Sequence, residues 1–433
     1  MQMQLELLIE GLNAPERDDR LAALAEIYEM SRRGEIPTPE KTDFVNNHIH
    51  TIYSFSPYSP TKAVYMAWQN GLATAGIMDH DSLSGAREFL AAAEIVGLPV
   101  TVGMECRASM RHTRLDGLRI NNPDQKSIAY VALHGVPHQN IDMINNIFEY
   151  YRFCRNKRNR KMCENITELM RPFGISLDFD RDVYPISMAK EGGSITERHI
   201  LYALTKKITA KYRTPEQVVA FLAGEMKIPI SDKVRRQILS GRDTPDFYEY
   251  DILGALKSNL VEKFYIPAEA ECPDIYELEK ICRECGVVLA YAYLGDVGVS
   301  ITGDKKAQRF EDGYTDLLFA EIERIGFNAV TYMPSRNTEE QLREIMELCD
   351  AHKLFQISGE DINSPRQSFL CHAMKADMFS HLSDAAYALI GHEREATKDL
   401  ERAMFSPAVC REIPNLRERC AYFKTKALES QNI

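Results

Sequence analysis

The chain has 433 residues, a formal net charge of −11, 45% hydrophobic residues and 27% charged residues. This length suits one large barrel with additions, or two to three domains. The acidic balance argues against a general binder of nucleic acid or of anionic membranes, and no apolar run reaches the roughly 18 residues that a membrane span needs.

The N-terminus and the cysteines favour a cytoplasmic protein. Residues 1–12 carry acids and lack the basic flank and the cleavage site of a signal peptide. The ten cysteines are scattered along the chain, which fits reduced thiols better than disulfides. Cys282 and Cys285 form a Cys-x-x-Cys pair without a second pair at zinc-ribbon spacing, so we interpret them as residues of one helix.

The first part of the chain turns from helices to an alternation of strands and helices. Residues 3–32 predict two short helices, and we assign residues 1–40 to an N-terminal helical extension. We assign residues 41–139 to the first part of a barrel. Its predicted elements are strands at residues 44–49, 75–78, 99–104 and 127–134 and helices at residues 60–70 and 84–96.

A helical insertion at residues 140–275 interrupts this alternation. Helices are predicted within it at residues 140–170, 195–208, 214–222 and 231–240. The alternation returns in residues 276–378, with helices at residues 276–285, 303–325 and 338–352 and strands at residues 286–292, 328–332 and 355–358. Residues 379–433 predict C-terminal helices. Alternating strands and helices imply an α/β fold with a parallel sheet, open or closed into a barrel.

Polar residues that can bind metals or take part in catalysis follow five of the seven predicted strands. His48 and His50 lie two residues apart, so both side chains point to the same side of an extended strand. The other four strand ends carry Asp79, His80 and Asp81; Glu105 and Arg107; His134; and Glu360, Asp361 and Asn363. The carboxyl ends of parallel strands meet on one face, where α/β folds build their sites. Since imidazole and carboxylate groups bind metals, the pattern predicts a metal site, although polar residues after a strand are also typical of ordinary loops.

This pattern resembles the PHP (polymerase and histidinol phosphatase) superfamily of metal-dependent phosphoesterases over residues 43–139 and 275–365. Four segments are similar to family motifs and occur in the family's order: His48-Ile49-His50-Thr51, Met78-Asp79-His80-Asp81, Gly103-Met104-Glu105 and Gly359-Glu360-Asp361-Ile362-Asn363. The resemblance implies a distorted (β/α)7 TIM-like barrel, up to three clustered metal ions and hydrolysis of a phosphate ester. By the same resemblance, the complete metal site consists of His48, His50, Glu105 and Asp361.

Departures from the family pattern predict fewer than three ions. The residues that stand where the family has further ligands are Ser54-Phe55-Ser56-Pro57, Tyr130, Tyr291 and Asn363. We therefore expect one or two divalent ions (Zn, Mn or Fe). His134 shares a strand face with Tyr130 and could supply a nitrogen ligand in its place. Tyr291 could serve as a phenol ligand or donate a hydrogen bond to substrate, and we place Asn363 among the substrate-binding residues.

Proton transfer and phosphate binding need further side chains. His80 or Asp81 is expected to handle a proton at the centre. Arg107 follows the Glu105 motif directly and is a candidate for binding a phosphate group. Arg198 and His199 are similar to a basic, histidine-containing segment that PHP phosphoesterases carry in their insertion, where it faces the substrate.

These features predict a metal-dependent hydrolase of PHP type, which cleaves a phosphate ester of a small molecule or nucleotide by metal-activated water. Its partner is a small anionic or phosphorylated substrate, with no membrane and no strong nucleic-acid signal. The missing ligands leave an alternative, a catalytically degenerate PHP barrel that acts as a binding or regulatory module. A polymerase-associated exonuclease is disfavoured by the acidic charge and by the lack of polymerase-length sequence. The sequence makes no prediction of the oligomeric state.

Overall fold

Seven strands form one sheet in the order β1-β2-β3-β4-β5-β6-β7 in the computed structural model of the protein, which describes residues 2–297 and 309–429. The strands are β1 (Val45–Ile49), β2 (Thr74–His80), β3 (Val100–Ser109), β4 (Ile128–His134), β5 (Val288–Ala292), β6 (Ala329–Tyr332) and β7 (Phe355–Ser358). All seven predicted strands are present. β2 and β3 run further than expected, so that His80, Glu105 and Arg107 lie within strands rather than after them.

The sheet closes almost completely into a barrel, because the chain after β7 returns to β1. Ile362 forms a parallel bridge with Ile49. The Ile362 backbone N–H donates to the His48 carbonyl at 3.1 Å, and the His50 N–H donates to the Ile362 carbonyl at 2.9 Å. This seam confirms the expected distorted seven-stranded barrel, and it fixes the residue before Ile362 beside the two histidines of β1.

One strand runs against the prediction of an all-parallel sheet. β4 is antiparallel to both of its neighbours, β3 and β5, whereas the other neighbouring pairs in this order are parallel. The carboxyl end of β4 therefore lies at the opposite end of the barrel from the carboxyl ends of the other strands. The expectation that His134 marks a strand end at the same face as His48 and Glu105 is consequently wrong.

Helices cover the outside of the barrel in the described residues. Those that precede β4 are α1 (Gln2–Gly11), α2 (Arg17–Arg32), α3 (Pro60–Gln69) and α4 (Ala86–Val96). Local contacts and backbone conformation set the ends of two of these helices. The Ser59 hydroxyl accepts a hydrogen bond from the Lys62 N–H at the start of α3, and Gly97 ends α4 in the left-handed conformation. A buried ion pair of 2.5 Å between Arg20 and Glu88 joins α2 to α4, which holds the N-terminal helices on the barrel.

The insertion between β4 and β5 contains five α-helices among the described residues. They are α5 (Ile141–Met170), α6 (Glu197–Lys211), α7 (Pro215–Ala220), α8 (Asp232–Leu239) and α9 (Pro245–Phe264). The sequence analysis missed α9, although Ile252, Leu256, Leu260 and Phe264 recur every four residues along it and are buried. These helices enclose a hydrophobic core of their own, separate from the core around the barrel.

The remaining helices follow the insertion. They are α10 (Ile275–Glu284), which precedes β5, α11 (Thr315–Ile325), α12 (Glu339–Ala351), α13 (Ser380–Lys398), α14 (Pro407–Glu412) and α15 (Leu416–Glu429). Residues 303–308 of the predicted helix 303–325 lie outside the described residues. Within the described part of the chain, no helix is both long enough and apolar enough to cross a membrane. All ten cysteines are free thiols, and Cys282 and Cys285 are buried.

Candidate metal centre

Strand β1 brings two histidines to the inside of the barrel. His48 and His50 are buried, and the Nε2 atom of each has no hydrogen-bond partner among the described residues. Buried polar atoms are nearly always paired, so two unpaired nitrogens side by side indicate a missing ligand. The ring centres are 5.0 Å apart, which allows both nitrogens to face one ion.

Glu105 and His80 face these histidines from the adjoining strands. The Oε2 atom of Glu105 lies 3.8 Å from His48 Nε2, 4.0 Å from His50 Nε2 and 3.1 Å from His80 Nδ1. His80 and Glu105 are register partners in β2 and β3, so the parallel pairing itself sets their separation. One carboxylate oxygen is thus shared among three imidazoles.

The segment after β7 supplies the second carboxylate. Asp361 Oδ1 lies 3.2 Å from His50 Nε2, and Asn363 donates a hydrogen bond from Nδ2 to the same oxygen. Gly359 lets this segment approach β1 closely, because a Cβ atom there would lie 2.6 Å from His48 Cβ. The lack of a side chain at residue 359 is therefore a requirement of the site geometry.

These side chains form two overlapping groups that could hold a divalent ion. The ligand atoms of His48, His50 and Asp361 lie within 4.8 Å of one another, and so do those of His50, His80 and Glu105. Imidazole nitrogens combined with carboxylate oxygens suit Zn, Mn or Fe. The donor set and the unpaired Nε2 atoms fit a bound metal, and His50 belongs to both groups.

A hydrogen-bond chain behind His50 fixes its ring. Ser54 Oγ donates to Asp79 Oδ1 at 2.6 Å, so it accepts from His50 Nδ1 at 3.1 Å. Asp79 also accepts from the N–H and the hydroxyl of Thr51, at 2.7 and 2.6 Å. With its proton on Nδ1, His50 presents the lone pair of Nε2 to the centre, as a metal ligand must. The sequence analysis gave Asp79 and Ser54 no such role.

The electrostatics favour ionised carboxylates at the centre. Burial alone would raise the pKa of Glu105, but His80, His48 and His50 lower it to about 2. Burial would also raise the pKa of Asp361, but the neighbouring His50, His48 and Arg198 together lower it well below its ordinary value. Burial lowers the pKa of His80 well below its ordinary value, so this ring is neutral. Anionic oxygens beside a neutral imidazole are the protonation states that bind metals.

His134 lies deeper in the barrel than the centre. Ala132, which lies two residues before His134 in β4, is the register partner of Glu105. Because β4 is antiparallel to β3, His134 lies two residues further from the mouth of the barrel. Its ring is buried, and neither ring nitrogen has a hydrogen-bond partner among the described residues. His134 belongs to neither candidate group, so its nitrogens do not lie together with the candidate ligand atoms of His48 and Asp361.

Arg107 and Asp81 are engaged in a buried network of ion pairs that joins the insertion to the barrel. Arg107 pairs with Glu197 at 2.9 Å and with Glu271 at 3.3 Å, and Asp81 pairs with Arg155 at 2.5 Å. Glu271 also pairs with Arg155 and with Arg158, at 3.3 and 2.6 Å. Asp81 does not line the pocket at the centre, whereas Arg107 lines it with its guanidinium already paired.

The remaining predicted residues divide between the pocket and the core. Arg198 and Asn363 line the pocket at the centre. His199 is buried beneath it, where Nδ1 accepts a hydrogen bond from the Thr196 N–H at 3.1 Å and the ring packs on Phe55. Tyr291 is fully buried and donates to Glu311 Oε1 at 3.2 Å. Tyr291 therefore departs from the expected contact with metal or substrate, because the alternation of β5 places Ala292, not Tyr291, at the pocket.

The pocket lies between the barrel mouth and the insertion and has a volume of about 260 Å³. His48, His80, Glu105 and Asp361 form its floor. The insertion contributes one face of α6, with Arg198 and Leu201, and one face of α9, with Lys257, Ser258, Val261 and Glu262. Sequence reasoning missed the α9 residues because it did not predict that helix.

Comparisons with known proteins show the fold. No family model matches the chain, and a comparison with curated proteins finds no match. Among solved structures, a candidate metal-dependent phosphoesterase from Bifidobacterium adolescentis has a TM-score of 0.50 and 20% identity, covering 76% of this chain and 94% of that chain. An amidohydrolase from Chromobacterium violaceum has a TM-score of 0.48 and 16% identity, covering 76% of this chain and 90% of that chain. The chain therefore shares its overall fold with the structure from Bifidobacterium adolescentis.

Proposed function

We propose that the protein is a metal-dependent phosphoesterase that hydrolyses a small phosphorylated substrate with one or two divalent ions. One observation carries this proposal: His48, Glu105 and Asp361 converge at the floor of a pocket, His50 lies within 3.2 Å of Asp361, and the two histidines leave Nε2 unpaired. Four side chains from three separate segments would not meet in this way in ordinary loops.

The proposed ligands of the principal ion are His48, His50, Glu105 and Asp361, with His80 and Glu105 able to hold a second ion beside His50. A divalent ion bound there would supply Lewis acidity and lower the pKa of water from ~16 towards ~7. Asp79 and Ser54 hold His50 in the orientation that this requires. His134 belongs to neither metal-binding group, and it stays a candidate ligand for an ion bound deeper in the barrel.

We assign proton transfer to His80 in the protein that holds one ion, and phosphate binding to Arg198. The His80 side chain is 22% exposed, compared with 10% for His48 and 1% for His50, so His80 is the histidine most open to a substrate. Arg198 lines the pocket and acts on Asp361 electrostatically. Asp81, our other candidate for the proton, is a positioning residue in this proposal, since its carboxylate holds Arg155.

The second candidate function is a catalytically degenerate barrel that binds or regulates. It is favoured by Tyr130 and Asn363, which stand where the family pattern has histidine ligands. Tyr130 accepts a hydrogen bond from Arg107 at 3.1 Å, and Asn363 donates to Asp361, so both positions are used structurally. Only the phosphoesterase turns over a substrate, whereas both functions are compatible with a bound ion.

Metal analysis together with a hydrolysis assay tests the proposal. The purified protein, loaded with Mn²⁺, Zn²⁺ or Fe²⁺, is assayed with p-nitrophenyl phosphate alongside His48→Ala and the control His112→Ala, whose ring is 77% exposed and pairs with Asp274. We expect His48→Ala to lose both metal and activity and His112→Ala to keep both. Metal binding that depends on His48, with no hydrolysis above the His48→Ala background, would favour the degenerate barrel. Unchanged metal content in His48→Ala would place the metal elsewhere.

A further inference from the structure

The walls of the pocket differ in chemistry from its floor. Val261 of α9, Leu294 after β5 and Met333 after β6 all line the pocket and are only half-buried. Their remaining exposed surface faces a concave site between the insertion and the barrel. Apolar side chains left open in such a site are typical of a surface that a ligand covers.

The positively charged side chains at the pocket suit a ligand with one anionic group. Arg107, Arg155 and Lys257 line the pocket, but carboxylates of the buried network already pair with both arginines, and the lysine also has a partner. The Arg198 side chain, in contrast, has no hydrogen bond or ion pair within the described ranges 2–297 and 309–429. Together with an ion on the floor, one uncommitted guanidinium suits one phosphate group.

An acidic side chain of the pocket disfavours a second anionic group. Glu262 of α9 lines the pocket and is exposed. A carboxylate there repels a ligand that extends a second phosphate towards solvent. The volume of about 260 Å³ is also small for a ligand pocket, since such pockets usually have about 300–1,000 Å³.

We infer that the ligand is the monophosphate ester of a small, uncharged and largely apolar group. Its phosphate lies between Arg198 and the metal centre, and its organic group packs against Val261, Leu294 and Met333. This inference rests on the proposed function, because it takes the metal centre as the place of the phosphate. It goes further in excluding bisphosphates and nucleic acid as preferred ligands.

Binding of phosphonates, which cannot be hydrolysed as esters, tests the ligand class separately from turnover. The metal-loaded protein is titrated calorimetrically with phenylphosphonate, with 3-phosphonopropionate, which carries a second anionic group, and with inorganic phosphate. We expect phenylphosphonate to bind at least about tenfold more tightly than 3-phosphonopropionate, since apolar contacts in a pocket contribute factors of this order.

Two substitutions assign the preference to the pocket wall. Val261→Thr keeps the shape of the side chain and should weaken phenylphosphonate binding by about 3- to 10-fold without changing the affinity for phosphate. Arg198→Gln should weaken the binding of all three probes alike. The control Val234→Thr changes a half-buried valine of α8, outside the pocket, and should change nothing.

The outcomes separate this inference from the proposed function. Equal affinity for the two phosphonates, or equal effects of Val261→Thr and Val234→Thr, overturns the ligand class even if phosphate esters are hydrolysed. A preference for phenylphosphonate that Val261→Thr weakens supports the ligand class. If that preference occurs without hydrolysis of phenyl phosphate, the ligand class stands and the phosphoesterase activity does not.

Discussion

Nε2 of His50 lies 3.2 Å from Oδ1 of Asp361, although the two residues come from the first strand of the barrel and from the segment after its last strand. The bridge between Ile49 and Ile362 closes the barrel at this point. Closure of the barrel and assembly of the metal centre are therefore the same structural event. A change at the seam should affect metal binding more than it affects the rest of the fold.

Gly359→Ala tests this coupling. The added methyl group would lie 2.6 Å from His48 Cβ and 2.8 Å from His48 N, so β1 and the segment after β7 must move apart. We expect metal affinity to fall at least about tenfold and the free energy of unfolding to fall by about 1–3 kcal/mol. Gly224→Ala is the control, since nothing lies within 4 Å of a Cβ there. Competitive metal titration and urea unfolding measure the two effects, and equal behaviour of both variants would contradict the coupling.

Asp79→Asn tests the chain that orients His50. The amide offers only one oxygen to the three donors that Asp79 accepts, namely the Thr51 N–H, the Thr51 hydroxyl and the Ser54 hydroxyl. We expect metal affinity to fall by about 10- to 100-fold, as is usual when a residue that orients a ligand is changed. Isothermal titration with Zn²⁺ or Mn²⁺ measures it. If Asp79→Asn bound metal as tightly as the unchanged protein, the chain would have no part in holding His50.

Glu271→Gln tests the buried network beneath the insertion. Glu271 pairs with Arg107, Arg155 and Arg158, so its loss leaves the buried network with one more uncompensated positive charge. We expect a destabilisation of about 3–5 kcal/mol. Asp180→Asn, which breaks the largely exposed pair with Arg160, should change stability little. Chemical denaturation compares the two, and a loss in Glu271→Gln no larger than in Asp180→Asn would show that the network contributes no stability.

Glu311→Gln should stabilise the protein in a pH-dependent way. Burial raises the pKa of Glu311 from 4.5 to about 7, so the folded state holds this proton up to a higher pH than the unfolded state does. Stability from this group is present below the unfolded pKa and is lost as the pH rises through 4.5 to about 7. Glutamine carries no charge, so we expect a gain of about 1–3 kcal/mol at pH 8 and none at pH 4.

Denaturation at both pH values measures this gain. Glu347→Gln, at an exposed position of α12, provides the matched control and should show the same small effect at each pH. A gain in Glu311→Gln that was equal at pH 4 and pH 8 would mean that the carboxyl is not protonated preferentially in the folded state.

Much of the site follows from the sequence because its ligands lie on or beside regular strands. The alternation of side chains along a strand places His48 and His50 together, and parallel pairing places His80 beside Glu105. These relationships depend on local periodicity and on the order of the strands, both of which the sequence displays.

The direction of β4 was not predicted, because strand direction depends on the connection rather than on the strand. The segment between β3 and β4 contains no α-helix, and a helix-free connection is typical of antiparallel neighbours. That signal is present in the polar loop before residue 127, but the repeated alternation elsewhere favoured a parallel strand. The position of His134 follows from this one difference.

The engagement of Arg107, Asp81 and Tyr291 also could not be predicted. Each is bound by a partner far away in the sequence: Glu271 for Arg107, Arg155 for Asp81 and Glu311 for Tyr291. Charge and residue type mark these side chains as capable of binding a ligand. Only the packing of the insertion and of the loop after β5 shows that their polar groups are already used.

Anomalous scattering from crystals grown with Mn²⁺ or Zn²⁺ tests whether His48, His50, Glu105 and Asp361 bind one ion. We expect an anomalous peak at the metal's absorption edge within about 2.0–2.3 Å of both Nε2 atoms and of a carboxylate oxygen from each acid. A peak that lies elsewhere, or no peak within bonding distance of His48 and Asp361 in crystals of metal-saturated protein, would contradict this expectation.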